Sequence, residues 1–263
     1  MTRWCLLLAL AASLALPAHA AFGAGAPTTR PGTLVVALSL GSSSLQAGAL
    51  RDGEVVVAKG FEVELAKALA RRLGLGRVTF VNTSRSSMTS PGPKRWDVAL
   101  AQLQRRGAGV DYSLPYLAAG QAVLARRGLA RPDDLAALRR LQLCAERGTS
   151  SASVLRGRVR PALAPLLAPS ADAVVRRVGT GSCDAALVDV TRLADALAAG
   201  GSLLGGVAGR IETGGSYVAA LERGSPLRRH VDRALRALAA DGTLARLRRD
   251  WLGIDPLRAP ALR

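Results

Sequence analysis

The chain has 263 residues, 49% of them hydrophobic and 3% aromatic, with 36 Lys+Arg against 19 Asp+Glu for a net charge of +17. It is too apolar to be a disordered chain and long enough for one large or two small cores. Only Lys59, Lys67 and Lys94 are lysines in a chain dominated by Ala, Arg, Gly and Leu; the arginine excess is weak evidence for nucleic acid, and no such partner is expected.

At the N-terminus Arg3 precedes the apolar run Leu6 to Leu16, and Pro17-Ala18-His19-Ala20 ends in an Ala-x-Ala pattern. This reads as a signal peptide over 1–20 cleaved near Ala20; an uncleaved anchor is the alternative. No other segment reaches the roughly 18 to 20 consecutive apolar residues of a membrane span, so a periplasmic or secreted chain is expected. Cleavage removes Cys5 and His19 and leaves Cys144, Cys183 and His230. An even cysteine pair in an oxidising compartment suggests a disulfide, with two buried free thiols as the alternative. One histidine and no Cys-x-x-Cys leave little from which to build a zinc site or a Ser-His-Asp triad, so no metal, cofactor or catalytic residue is expected. His230, flanked by arginines within the spacing Leu227, Val231, Leu235, Leu238, reads as a solvated helix position.

An Ala/Gly/Pro/Thr-rich linker over 21–32 leads to a buried strand, Thr33 to Leu38, and then to a loop at Gly41-Ser42-Ser43-Ser44. Phe61, Leu65, Leu69 and Leu73 lie four apart, predicting an amphipathic helix over 60–74 with early glutamates and late arginines that suit its dipole. Val78 to Val81 and Trp96 to Ala101 read as strands, with a Pro/Gly loop over 84–94 between them. Further strands are expected at 121–125, 141–145 and 185–188, and helices after Pro132, at Gly148-Thr149-Ser150-Ser151, over 171–178, after Ser225-Pro226 and after Asp241-Gly242-Thr243. The alternation argues for an α/β fold with parallel sheets.

In such sheets ligands sit beyond the carboxyl ends of strands and at helix N-termini. Gly148 to Ser151 offers N–H groups and hydroxyls to a carboxylate, or is an ordinary helix cap. Asp189, ending an apolar strand, can pair with an ammonium or cap the helix containing Arg192 and Leu193. Arg106 can clamp a carboxylate bidentately, or is one more solvated arginine.

Four segments taken together carry a resemblance: Gly60-Phe61-Glu62-Val63-Glu64-Leu65-Ala66; Val110-Asp111-Tyr112-Ser113-Leu114-Pro115-Tyr116 followed by Gly120-Gln121-Ala122-Val123; Asp184 to Asp189; and Ala240-Asp241-Gly242-Thr243-Leu244-Ala245 with Trp251-Leu252-Gly253. In this order the chain resembles the periplasmic amino-acid-binding proteins of ABC importers, polar amino acid branch. The resemblance implies a two-lobed type II binding-protein fold with two hinge strands, lobe 1 over 33–122 and 212–263, lobe 2 over 123–211, and ligand enclosed by hinge closure. It implies Arg106 on the ligand carboxylate assisted by Thr149 and Ser150, Asp189 on the ammonium, Glu146 lining the pocket and Ala101 as a backbone contact. It also places Cys144 where some glutamate-binding members carry a disulfide cysteine, with Cys183 somewhat later than their partner cysteine. The implied partners are a small amino acid or carboxylate and a membrane permease, with the chain a monomer and not an enzyme.

Departures from the family pattern narrow the ligand. The stretch between Asp97 and Asp111 is about three residues short, which leaves Arg105 as an alternative clamp. Ser39, Ser42 and Leu45 stand where the family has an aspartate and aromatics, Arg85 replaces a further aromatic, and the usual short helix after it reads as a loop. Lost aromatic walls remove stacking and cation-π contacts of about 0.5 to 2 kcal/mol each. A pocket of Ser39, Ser42, Arg85 and Arg106 suits a small polar or acidic ligand. Two other readings stand beside this one: a degenerate binding-fold sensor or interaction module, and a dehydratase-like enzyme on the same fold with Glu146 as its acid/base. Fusion to a lytic transglycosylase domain, known in some relatives, is not expected in a chain ending at Arg263.

Overall fold

β1 (Thr33–Leu38) is buried at every position, as a strand covered on both faces has to be. It pairs in parallel with β4 (Arg77–Asn82) and β5 (Val98–Ala99). These relations come from a computed structural model that describes residues 26–41, 44–253 and 259–263; the expected signal peptide and Ser42 lie outside the described residues. The helix expected over 60–74 is α1 (Phe61–Arg72). Gly60 enters it at φ 121, where a Cβ would run into the carbonyl of Leu45. That close approach lets Phe61 and Glu62 donate their N–H groups to the carbonyls of Ser44 and Leu45, at 2.9 and 3.1 Å, and so satisfies donors that a helix start leaves free.

Two elements correct the reading of the first hundred residues. A hairpin of β2 (Ala47–Arg51) and β3 (Glu54–Lys59) closes one edge of the sheet. Its Asp52-Gly53 turn has φ 50 and 81, the pair of positive values that a type I′ hairpin turn requires. The stretch read as a Pro/Gly loop begins with the short helix thought to be missing, α2 (Arg85–Thr89), capped by the Ser84 hydroxyl on the N–H of Ser87. It forms because its single apolar residue, Met88, is fully buried beside Val35, Trp96 and Tyr112.

β6 (Asp111–Arg126, 16 residues) and β10 (Leu204–Leu221, 18 residues) run antiparallel along their whole length and belong to both halves of the molecule. At one end β10 pairs with β5; at the other β6 pairs with β9 (Ala185–Asp189). Beyond β9 lie β7 (Leu143–Glu146) and β8 (Leu166–Ala168), both parallel, giving the order β2-β3-β4-β1-β5-β10-β6-β9-β7-β8. Register shifts interrupt the β6–β10 ladder, and Thr213 to Gly215 bulge out between Glu212 and Ser216.

The packing makes two lobes. Leu34, Phe61, Leu65 and Tyr116 pack with α7 (Leu227–Ala240) and α8 (Thr243–Leu252) through Leu235 and Leu247. Separate clusters collect Leu124, Cys144, Val175 and Leu193 on one face of the other half and Val123, Leu138, Leu155 and Ile211 on its opposite face. The helices there are α3 (Leu135–Arg139), α4 (Ser150–Val154) with a π turn over Leu155–Val159, α5 (Ala171–Gly179) and α6 (Leu193–Gly200). The C-terminal segment expected in lobe 1 packs there through α7 and α8, but its last residues return to the other lobe: Ala261 bridges Arg210 and Leu262 joins the cluster of Val123. Cys144 on β7 and Cys183 before β9 form a buried disulfide with Cα atoms 6.1 Å apart. Among the described residues no helix is long and apolar enough to cross a membrane.

Candidate functional site

The carboxyl ends of β5, β7 and β9 open on a common cleft, as expected of parallel strands in an open sheet. Asp189 stands at the end of β9 and caps the 3-10 turn Val190–Arg192, the capping role expected of it, with its carboxylate in the wall of the cleft. Its carboxylate accepts from the N–H and hydroxyl of Thr191 at 3.0 and 2.8 Å, from the Tyr217 hydroxyl at 3.0 Å and from the Ser150 hydroxyl at 3.2 Å. Burial first, and then the adjacent Asp189 carboxylate, pushes the Tyr217 phenol far up, keeping it a donor.

Two contiguous cavities make up the cleft. One, of about 290 Å³, is walled by Glu146, Thr149, Ser151, Thr191 and Arg192 among others. The other, of about 430 Å³, is walled by Ser86, Gln104, Arg106 and Tyr217 among others. Arg85, Gln102, Ser150 and Asp189 line both. Thr149 caps α4, accepting from the N–H of Ala152 at 3.4 Å and donating to the Glu146 carbonyl at 2.7 Å. Arg85, at the start of α2, donates to the Gln102 side chain at 2.7 Å.

Of the residues expected at the site, Arg85, Arg106, Glu146, Thr149, Ser150 and Asp189 therefore meet in the cleft. Ala101 is fully buried and Ser39 is half-buried with its N–H on Gln46 at 2.8 Å; neither is in the walls of the two cavities. Leu45 belongs to the core. Arg105 lines a different hollow, beside Pro115 and Gly214.

Reading the sequence alone passed over Gln102, Thr191 and Tyr217. Gln102 directly follows Trp96 to Ala101, the stretch that reads as a strand in the sequence, although β5 itself ends at Ala99; Tyr217 lies inside β10 and had no such signal.

Beneath the floor lies a buried polar group. Glu62 accepts from the N–H of Gln102 at 2.9 Å and from the Tyr116 hydroxyl and the Gln46 amide. Burial raises its carboxyl above the usual range against the opposing pull of those three donors. The cleft thus offers Arg85 and Arg106 from one lobe, Glu146, Asp189 and Arg192 from the other and hydroxyl groups around them, an arrangement that can hold a small zwitterion or carboxylate.

A comparison with curated protein sequences finds no match. Among solved structures, substrate binding domain 2 of Lactococcus lactis GlnP in its open conformation superposes with a TM-score of 0.70 at 19% identity, covering 87% of this chain and 99% of that one. The unliganded open L-cystine solute receptor of Neisseria gonorrhoeae gives 0.68 at 21%, covering 85% and 94%. The ancestral cationic amino acid solute-binding protein AncCDT-1 gives 0.66 at 22%, covering 84% and 96%. At these identities the likeness speaks to the fold, the two-lobed binding-protein architecture. The family model for bacterial extracellular solute-binding proteins, family 3, matches residues 50–254, most of the chain, and the chain belongs to that family.

Proposed function

We propose that this chain, after loss of its signal peptide near Ala20, captures a small polar or acidic amino acid or related carboxylate outside the cytoplasm and delivers it to the permease of an ABC importer. The observation that carries this reading is the shared wall of Arg106 and Asp189 in one cavity between the lobes: a guanidinium for a carboxylate, a carboxylate for an ammonium. Family membership supports it, as do structural neighbours described as a cystine receptor and a GlnP substrate binding domain. Among the described residues Tyr217 is the cavities' only aromatic wall, and it is engaged with Asp189, which favours a small polar side chain over one that needs stacking.

The test is a thermal-shift screen of the mature protein, stripped of ligand by refolding, against amino acids and small carboxylates. Ligand at a thousand times its Kd adds about 4 kcal/mol, several degrees for this size. A shift lost on both Arg106→Ala and Asp189→Ala supports the reading; no shift with any compound overturns it in favour of a binding fold that no longer binds.

One observation favours a second reading. The same fold in AncCDT-1 is described as a precursor of cyclohexadienyl dehydratase, and Glu146 lines the smaller cavity here. Turnover of prephenate or arogenate that disappears in Glu146→Gln would establish it; an inactive wild type would end it.

A further inference from the structure

Gln102 has a backbone that L-residues rarely adopt, φ 53 in the left-handed region. It is held there by its N–H on the fully buried Glu62. The strain aims the side chain across the cleft. Its carbonyl oxygen accepts from Arg85 at 2.7 Å on its own lobe, and its amide donates at 2.5 Å to the Thr191 hydroxyl on the other. The Thr191 hydroxyl in turn donates to the Asp189 carboxylate at 2.8 Å. The donors all run one way, from Arg85 through Gln102 and Thr191 to Asp189, so the orientation of the amide is determined by its neighbours.

This bridge stands where the two cavities meet. Arg106 and Tyr217 wall only the larger, Glu146 and Arg192 only the smaller, and Gln102 both. A ligand held by Arg106 and Asp189 that extends toward Glu146 and Arg192 crosses the junction this amide shares with Arg85, Ser150 and Asp189. We infer that Gln102 is a specificity-determining residue: its side chain partitions the cleft and limits the ligand to α-amino acids with short side chains, excluding longer polar ones that the Glu146 and Arg192 end would otherwise accept. The inference rests on the proposed function above and deepens it.

Two variants separate partition from contact. Gln102→Gly suits the positive φ and removes the barrier. Gln102→Asn also tolerates that backbone and keeps the amide, but is one methylene too short to bridge from Arg85 to Thr191. Calorimetric titration of the wild type and both variants with alanine, serine, aspartate, glutamine, glutamate and arginine reads the effect, with unliganded melting curves verifying the fold.

The expected result is that wild type prefers the short side chains. In both variants at least one of the three long ligands tightens by about tenfold or more, the scale of a pocket's size discrimination, while the short ones keep their affinity. An unchanged ranking in Gln102→Gly overturns the partition, as does loss of the short ligands in that variant, which would make Gln102 a direct contact. Absence of binding by all three proteins to all six ligands overturns the amino-acid reading itself and this inference with it.

Discussion

Arg105 and Arg106 are neighbours in sequence and face different spaces. Arg106 walls the cavity that also contains Asp189, whereas Arg105 donates to the Ser113 carbonyl at 2.6 Å and lines the hollow beside Gly214. The Tyr112 hydroxyl holds the backbone of Arg106, accepting from its N–H at 3.3 Å and donating to its carbonyl at 2.6 Å. The choice between the two clamps thus becomes an experiment.

Arg106→Ala is expected to weaken amino-acid binding by roughly ten- to a hundredfold, the range for losing a hydrogen-bonded charge of about 1.5 to 3 kcal/mol. Arg105→Ala is expected to leave affinity within about threefold of wild type, since only a backbone contact on an exposed arm is lost. Titration calorimetry on both variants decides between them; the reverse pattern would transfer the clamp to Arg105.

The Cys144–Cys183 disulfide closes a 39-residue separation and is fully buried between β7 and the start of β9. The chain-entropy model assigns a loop of that length roughly 4 kcal/mol. Reduction, or the Cys144→Ala/Cys183→Ala double variant, is expected to lower Tm by on the order of 10 °C. Differential scanning calorimetry with and without reductant measures this. Mass spectrometry of unreduced peptides should find the two cysteines linked, and free alkylation of both would contradict the pairing.

Elements with a strong internal period were legible in the sequence, and those defined by their partners were not. β1 is a pure apolar run and α1 repeats every four residues, so both appear in the structure within a residue or two of expectation. Of the hinge strands only 121–125, at the end of β6, was legible. Pro115 interrupts the apolar pattern of β6, and glycines 205, 206, 209, 214 and 215 make β10 read as loop, although its long antiparallel partner makes it strand. At the site, Asp189 and Ser150 were legible because a strand end and a helix start announce them. Gln102 was not, because its part depends on a backbone angle that no side-chain pattern encodes. Ser39 and Ala101 followed the family's pocket pattern and lie outside the walls of this one.

α2 has one buried residue, Met88, which makes it sensitive. Met88 is fully buried among Val35, Trp96 and Tyr112, so Met88→Ala is expected to cost about 2 to 5 kcal/mol through the cavity it leaves. Ser84→Ala, which removes the cap on Ser87, is expected to cost about 1 kcal/mol. Urea denaturation at neutral pH measures both. Because Arg85 opens this helix, the cap variant is also expected to weaken ligand binding while Met88→Leu, which keeps the volume, leaves it intact.

Glu62 gives the protein a pH dependence opposite in sign to that of its paired surface carboxylates. Its carboxyl is raised above 4.5, first by burial, with the Tyr116 hydroxyl, the Gln102 N–H and the Gln46 amide pulling it part of the way back. A raised carboxyl binds its proton more tightly folded than unfolded. Its contribution is therefore fully present below about pH 4.5 and is lost as pH rises through the folded value. Asp184 runs the other way: the hydrogen bond from Arg126 lowers its carboxyl below 3.8, so its stabilisation is present above that value and disappears in acid. Denaturation curves between about pH 4 and about pH 7 should show wild-type stability declining with rising pH relative to Glu62→Gln, which cannot ionise. Glu62→Gln is itself expected to be less stable at low pH, because its amide nitrogen would face the Gln46 amide, donor against donor. A wild-type-minus-variant difference that is flat across this range would show that Glu62 does not titrate there.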